Sequence, residues 1–176
     1  MSILLIILLV LAGIIGLVLL MALFMRKAHH VRCEITINAP SQKVFDFLKL
    51  LENQEKFNKH AMAGGERKKE FKGTDGTVGY IYSWRGDKDT GVGEKEIMHL
   101  VEGKKIETEI RFVKPFRATA SMIMETESLP GNQTKVSWSN AGTLKFPINI
   151  FIPKMEKHVA KDIDTSLSTL KNILEK

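Results

Sequence analysis

Near the start of the chain, the 23 residues 3–25 (ILLIILLVLAGIIGLVLLMALFM) include no charged or strongly polar side chain. An α-helix rises about 1.5 Å per residue, so about 20 apolar residues cross the hydrocarbon core of a bilayer, which is about 30 Å thick. A helix also pairs its own backbone N–H and C=O groups, as lipid requires of a single spanning segment. The stretch therefore predicts a transmembrane helix over residues 3–25.

A cleavable signal peptide is the main alternative for this stretch. Such a peptide has a basic start, an apolar core of about 7 to 15 residues and a cleavage site between small residues. Here only Met1 and Ser2 precede the apolar run, the run is longer, and it is followed by Arg26 and Lys27. These features favour an anchor that is retained.

Basic residues determine the predicted orientation of this anchor. Arg26, Lys27 and Arg32 follow the span, whereas only the α-amino group precedes it. Because basic residues near a span tend to stay in the cytoplasm, we expect a single-pass protein of the cell membrane whose soluble domain is cytoplasmic. Residues 26–30 are predicted to be a short juxtamembrane stem, which keeps the domain of residues 31–176 close to the bilayer surface.

Composition limits what this domain can be. About 145 residues follow the stem, a normal size for one domain with a proper hydrophobic core. The formal net charge of +6 comes from 26 Lys+Arg and 20 Asp+Glu. These charges are intermixed rather than clustered, which argues against a nucleic-acid partner, while a mildly basic domain suits an anionic membrane surface. A single cysteine, Cys33, excludes an internal disulfide.

Hydrophobic periodicity predicts a strand, two short helices, six more strands and a long final helix. Residues 31–38 alternate between apolar and polar side chains, and Ser41 is a suitable N-cap for a helix that ends near residue 52. A second helical segment covers residues 53–62. Six strands follow at residues 67–72, 77–85, 91–101, 105–113, 117–128 and 134–141, separated by turn-forming residues. After residue 153, apolar residues at i+3 and i+4 spacing predict an amphipathic helix to the C-terminus.

Scaffold positions along the domain carry a family resemblance. They are residues 35–40 (ITINAP), 44–47 (VFDF), 91–94 (GVGE), 102–106 (EGKKI), 114–116 (KPF) and 134–138 (TKVSW). With them, residues 31–176 resemble the START-like helix-grip superfamily, and within it small polyketide cyclase/dehydrase-like (SRPBCC) domains. The resemblance implies an α+β fold, with a curved seven-stranded antiparallel sheet around the long C-terminal helix. It also implies an apolar cavity between sheet and helix, but no catalytic motif is among these positions, so it says little about function.

Residues expected to face this cavity are the ligand-binding candidates. Alternation places Tyr80, Tyr82 and Trp84, together with Val78, on one face of a strand. Two hydroxyls and an indole N–H in an apolar pocket can orient a ligand, although aromatic packing against the final helix is an alternative role. The complete set of candidates is Tyr80, Tyr82, Trp84, Ile110, Phe112, Met122, Met124, Trp138 and Ile163.

Acidic residues in the neighbouring strand raise the question of catalysis. Glu94 and Glu96 face the cavity if the turn after their strand has three residues, whereas Ile97 and His99 do if it has two. A pair of surface carboxylates near Arg111 is the alternative. No catalytic residue is therefore predicted, and the sequence favours a protein that is not an enzyme.

No metal or cofactor site emerges from the sequence. His60, His99 and His158 are scattered, without a second ligand at metal-binding spacing, and no glycine-rich loop is placed to bind phosphate. The apolar segment 146–153 (FPINIFIP) has three alternative roles. It can be a plug buried under the last helix, a lid at the mouth of the cavity, or a patch that contacts the membrane.

Three functional hypotheses follow. The first is a membrane-anchored domain that binds or shuttles a hydrophobic small molecule or lipid and performs no chemistry. The second is a cyclase- or dehydrase-like enzyme that uses polar cavity groups such as Tyr80, Tyr82, Glu94 or His99. The third is an interaction module that regulates a membrane partner.

Overall fold

The structure, a computed structural model, describes residues 2–62, 67–86, 91–114 and 117–176, except for the side chain of His60. The turns predicted at residues 63–65, 86–89 and 114–116 lie partly or wholly outside these ranges. Helix α1 (Ile3–Phe24) begins at Ser2, whose hydroxyl accepts a hydrogen bond from the N–H of Leu5. All of α1 except Ala22 is exposed, so it is not a core helix. It is long and apolar enough to cross a membrane, a test that a signal sequence also passes.

The described part of the remaining chain forms seven strands and several helices. The strands are β1 (Ala28–Ile37), β2 (Lys68–Lys72), β3 (Ile81–Arg85), β4 (Val92–Val101), β5 (Lys105–Lys114), β6 (Ala118–Leu129) and β7 (Gln133–Thr143). The helices are α2 (Ser41–Lys49), α3 (Lys59–Met62) and α4 (Ile152–Leu174), with 3₁₀ helices at Leu51–Lys56 and Ile148–Phe151.

The seven strands form one antiparallel sheet in the order β1-β7-β6-β5-β4-β3-β2. Strands β2 to β7 pair with their neighbours in the chain, and β1 closes the order by pairing with β7. Together with the long C-terminal helix, this sheet confirms the predicted α+β helix-grip fold. Met124 and Trp138, which were both expected to face inward, lie opposite each other, and Ile110 lies opposite Ala120.

Two strand boundaries differ from the prediction. Strand β3 begins at Ile81 rather than at residue 77, because Gly76 and Gly79 adopt positive φ angles of 79° and 84° and form turns before it. The expectation that Val78 shares the inner face is wrong, since this side chain precedes the strand and is exposed. Strand β1 begins at Ala28, so it includes three of the five residues that the sequence assigned to the stem.

Helix α4 packs across the inner face of the sheet and buries its apolar stripe there. Leu167, Leu170 and Leu174 lie in one core cluster with Phe45 of α2 and Met124 of β6. Each fully buried side chain of this size contributes about 1.5–3 kcal/mol relative to an exposed one. A second cluster lies under the 3₁₀ helix Leu51–Lys56 and contains Leu51, Tyr80, Tyr82, Trp84 and Ile97.

Several chain connections lie at one end of the strands, and we call this end of the sheet the loop edge. The terminal pairs Arg85–Val92, Phe112–Ala118 and Ala28–Thr143 all lie there. The chain therefore passes from α1 into the sheet at the loop edge, and it leaves β7 toward α4 at the same edge. The loop edge is the side of the domain from which the apolar N-terminal helix projects.

Candidate functional site

Burial along the inner face decreases toward the loop edge. On β5, Ile106 and Thr108 are almost completely buried, Ile110 is half-buried, and Phe112 is 39% exposed. The β6 residues opposite the last two are alanines, Ala118 and Ala120, which are also half-buried. The inner face is thus incompletely covered where it meets the loop edge.

The structure separates the nine candidate residues into two groups. One group lies on the β3 side of the inner face: Tyr80, Tyr82 and Trp84 belong to the second cluster, Ile110 contacts both clusters, and Phe112 meets the Trp84 ring edge-on at 6.0 Å. The other group is packed in the core beneath α4 and contains Met122, Met124, Trp138 and Ile163. Ligand binding by these residues stays a prediction. In the first group Ile110 and Phe112 are partly exposed, whereas the other three are buried like the second group.

The hydroxyl groups of the two tyrosines contact carboxylates of the neighbouring 3₁₀ helix. Tyr80 Oη donates a hydrogen bond to Glu52 Oε1 at 3.1 Å, and Tyr82 Oη donates to Glu55 Oε1 at 2.6 Å. Burial, together with these acidic neighbours, raises the pKa of both phenols above the usual range. The two bonds fasten the 3₁₀ helix to β3, while the rings contribute to the apolar inner face.

Trp84 forms the rim of this face together with Gly93 and Phe112. A Cβ atom added to Gly93 would lie 2.5 Å from Cζ2 of the Trp84 ring and 2.8 Å from the carbonyl oxygen of Arg111. The indole therefore packs closely against the backbone of β4, and only glycine leaves room for it there. Trp84 is 9% exposed, so the exposed apolar surface of this rim belongs mainly to Phe112.

Lys95 follows Gly93 by two residues on β4, so it lies on the same face but farther from the loop edge. It pairs with Tyr82 of β3 and Ile110 of β5. Its side chain points inward and the residue is only 9% exposed. The ammonium group donates a hydrogen bond of 2.6 Å to Oε1 of Gln54, which is 2% exposed and lies on the 3₁₀ helix Leu51–Lys56. Burial in this apolar environment lowers the pKa of Lys95 to about 8.

The sequence analysis missed Lys95 because a β-bulge decides which residues of β4 face inward. The turn from β4 to β5 has three residues, which by regular alternation would place Glu94 and Glu96 inward. The register shifts between Ile97 and His99, however, and the extra residue Met98 reverses the alternation. Ile97 is buried while His99 is exposed, a combination that neither of the two predicted patterns contained. Alternation from Ile97 back to Gly93 was the signal that could have identified Lys95.

The acidic residues of β4 bind an arginine on the outer face. Arg111 Nε lies 2.6 Å from Glu94 Oε1, its Nη1 lies 2.6 Å from Glu109 Oε1, and its Nη2 contacts Glu96. The hydrogen bonds that the Arg111 guanidinium donates to these three carboxylates raise its pKa. The alternative of a surface carboxylate pair near Arg111 is therefore confirmed.

Two concavities in the described part of the chain lie away from the inner face. An open groove of about 720 Å³ lies on the outer face and is lined by residues such as Arg32, Lys105 and Glu125. A smaller one of about 270 Å³ lies between α3 and α4 and includes Phe57 and Met62. No group of three His, Cys, Asp or Glu side chains among the described residues is arranged to hold a metal ion.

In the apolar segment 146–153, a polar side chain is buried while several apolar ones are exposed. Its polar residue Asn149 is fully buried, whereas Phe146, Ile148 and Phe151 are exposed. The Nδ2 atom of Asn149 donates hydrogen bonds to the carbonyl oxygens of Ala22, at 2.7 Å, and Met25, at 3.1 Å. These carbonyls lie at the C-terminal end of α1, where a helix lacks internal donors.

An ion pair adds to this contact between α1 and the domain. The guanidinium of Arg26, just after α1, binds the carboxylate of Glu156 on α4. The same carboxylate accepts a hydrogen bond of 3.2 Å from the backbone N–H of His30. Side-chain contacts thus hold the N-terminal helix against the loop edge, in addition to the short connection through residues 25–27.

Comparisons with known proteins support the fold. No family model and no curated protein matches the chain. Solved structures do match: protein CV1439 from Chromobacterium violaceum is 15% identical with a TM-score of 0.60, and the match covers 84% of this chain and 98% of that one. The Aha1 dimer from Colwellia psychrerythraea is 17% identical with a TM-score of 0.58, covering 83% and 96%. Ara h 8.0201 is 15% identical with a TM-score of 0.59, covering 84% and 97%.

At such low identities these similarities show a common fold. With the seven-stranded antiparallel sheet and the long C-terminal helix, they show that this protein has a helix-grip fold. The apolar helix α1 precedes that fold.

Proposed function

We propose that this protein is a single-pass membrane protein whose helix-grip domain binds a hydrophobic small molecule or lipid. The binding site is the incompletely covered part of the inner face, next to the rim formed by Trp84, Gly93 and Phe112. One observation carries the proposal. The helix that can cross a bilayer and the open end of the inner face lie at the same edge of the sheet, so a spanning α1 directs that opening toward the membrane.

The exposed part of segment 146–153 supports this orientation. Phe146, Ile148 and Phe151 lie beside the end of α1, because the buried Asn149 of the same segment binds the carbonyls of Ala22 and Met25. Exposed apolar side chains grouped next to a spanning helix are suited to contact with the bilayer interface. Of the three predicted roles for this segment, a membrane-contacting patch therefore has the strongest support.

The chemistry of the inner face suits an apolar ligand with few polar groups. Ile110, Phe112 and Trp84 are apolar, and the side chains opposite Ile110 and Phe112 are the small ones of Ala120 and Ala118. Ligand sites of this kind are mostly apolar, with a small number of placed polar groups. The ligand would enter from the bilayer without crossing water. The basic residues after α1 favour a cytoplasmic location of the domain.

The enzyme hypothesis has less support. Two of the groups that it requires do not face the cavity. Glu94 binds Arg111 on the outer face, and His99 is exposed. The hydroxyls of Tyr80 and Tyr82 are bound to carboxylates of the 3₁₀ helix. An acid or base that acts on a ligand must reach it within hydrogen-bond distance.

Neighbouring residues on opposite faces of β5 provide the test. Phe112 and Val113 are 39% and 47% exposed, and only Phe112 faces inward. We would purify the full-length protein in an uncharged detergent and detect retained apolar compounds by native mass spectrometry. The wild type is expected to retain such a compound, Phe112→Asp to lose it, and the control Val113→Asp to keep it. No bound compound in the wild type, or equal retention by both variants, would contradict the proposal.

A further inference from the structure

We propose that Lys95 and Gln54 form a buried oxyanion site, so that the ligand is an amphiphile with an acidic head group, a carboxylate or a phosphate, on an apolar chain. This inference rests on the proposed function and specifies the chemistry of its ligand.

Unused hydrogen-bond donors are the first argument. A lysine ammonium has three N–H donors, and a glutamine amide has two. Lys95 Nζ donates one hydrogen bond, to Gln54 Oε1 at 2.6 Å, and this bond fixes the amide so that Nε2 is a separate donor. The Nε2 atom is buried and has no hydrogen-bond partner in the described part of the protein. The pair therefore presents several donors and needs an acceptor.

The ammonium charge of Lys95 also favours a bound anion. No carboxylate of the described residues forms an ion pair with Lys95, and the pKa of its ammonium is lowered by burial alone. The nearby acid Glu55 is engaged with the Tyr82 hydroxyl and with Lys69 on β2. A buried cation without a counter-ion is destabilising. A bound oxyanion would neutralise it and accept the unused N–H groups at the same time.

Position is the third argument. Lys95 pairs with Tyr82, while Trp84 and Phe112 pair with Gly93, two residues nearer the loop edge. Two residues of a strand span about 6.8 Å. An acidic head at Lys95 would thus lie inside the apolar rim, and its chain would pass Phe112 toward the loop edge and the membrane. A neutral apolar ligand would leave the charge and the amide donors unpaired.

Three ligands with the same chain test the inference: oleate, oleyl phosphate and oleyl alcohol. Their affinities for the full-length protein are measured by calorimetry at pH 7 in dodecyl maltoside. We expect at least one acid to bind about tenfold or more tightly than the alcohol, in line with a charge-assisted hydrogen bond. The tighter acid identifies the head group as a carboxylate or a phosphate, and either result supports the site.

Two variants assign the preference to this pair. Lys95→Met removes the charge, and Gln54→Glu keeps the shape of the side chain but supplies a carboxylate from the protein itself. Both are expected to reduce the preference for acid to about twofold or less while alcohol binding remains, which also shows that the variants are folded. The control Lys104→Met, in the exposed turn after β4, should keep the wild-type preference.

The outcomes separate this inference from the proposed function. Equal affinities of acid and alcohol in the wild type would overturn the oxyanion site but leave binding of an apolar ligand intact. A preference that persists in both variants would also overturn it. If none of the three ligands bound to the wild type, both proposals would be contradicted.

Discussion

The two ends of the sheet's inner face differ in how they are covered. At the end away from helix α1, Phe45, Leu48 and Leu170 are fully buried between the sheet, α2 and α4. At the loop edge, Phe112 is more than a third exposed and is faced by alanine. The first end has the dense packing of a protein interior, which stabilises the fold. The second end contributes less packing, and it is where we propose that the ligand binds.

Two matched substitutions test this difference, and they are expected to have the largest effect on stability. Phe45→Ala removes a fully buried ring and is expected to lower the free energy of unfolding by about 3–5 kcal/mol. Phe112→Ala removes a partly exposed ring and should cost about 1 kcal/mol, since less of its surface is buried. Denaturant unfolding of the full-length protein in detergent, followed by circular dichroism, measures both values. Similar losses for the two variants would show that the loop edge is packed as tightly as the core.

The charge of Lys95, close to the open end, makes the stability of the fold depend on pH. A lysine in the unfolded chain has a pKa of about 10.4, whereas burial lowers that of Lys95 to about 8. Between these values the unfolded chain binds more protons than the folded one, so stability rises with pH. The full effect is about 3 kcal/mol as an order of magnitude.

Lys95→Met isolates this contribution. We expect the wild type to gain stability relative to the variant from pH 8 to pH 10, and the difference between them to be constant below about pH 7. The neighbouring phenol of Tyr82 has a raised pKa and stays neutral in this range in both proteins. Thermal melting of both proteins across the pH range measures the difference. Parallel curves would mean that Lys95 is not buried as described.

The contact between α1 and the domain fixes the direction of the open end. Asn149→Leu removes two hydrogen bonds to the carbonyl oxygens of Ala22 and Met25. At about 1 kcal/mol for each bond, the variant should lose about 2 kcal/mol of stability. It should also allow α1 to move relative to the sheet.

Distances between spin labels on α1 and α4 measure this movement. Cysteines at Leu19 and Lys157, in a Cys33→Ser background, provide the labelling sites. The distance distribution is expected to be narrow with Asn149 present and broader in Asn149→Leu. An unchanged narrow distribution would show that Arg26 and the short connection hold the helix without Asn149.

The smallest effect is expected on the outer face. Arg111→Met breaks the contacts with Glu94, Glu96 and Glu109, but all four side chains are partly exposed. The loss of stability should be about 1 kcal/mol or less. Ligand binding, followed by the same calorimetry, should stay at the wild-type level. A large loss of binding would instead favour a functional role for the acidic residues of β4.

The fold was predictable because it depends on local patterns. Alternating strands and turn-forming residues predicted the sheet, and the i+3 and i+4 spacing of Leu167, Leu170 and Leu174 predicted the face of α4. The residue that defines the proposed binding chemistry was not predictable in the same way. Lys95 faces inward because of an extra residue at Met98, and lysine is among the residues that are rarely buried.

The segment before α4 shows a second limit of sequence patterns. Its apolar residues suggested burial as readily as exposure, yet the polar Asn149 is fully buried while Phe146 and Phe151 are exposed. The reason is a contact far apart in the chain, since the amide of Asn149 binds carbonyl oxygens at the end of α1. No local periodicity contains this information.

The two tryptophans allow the most direct test of the difference between the two ends. Trp84 lies in the rim at the loop edge, and Trp138 lies in the packed core, in edge-to-face contact with Phe57. Bromine quenches indole fluorescence only at short range, so 9,10-dibromostearate reports which tryptophan it approaches. The single-tryptophan variants Trp138→Phe and Trp84→Phe are titrated with it in detergent. The account predicts strong quenching of Trp84 and little quenching of Trp138. Quenching of Trp138 alone, or of neither residue, would contradict it.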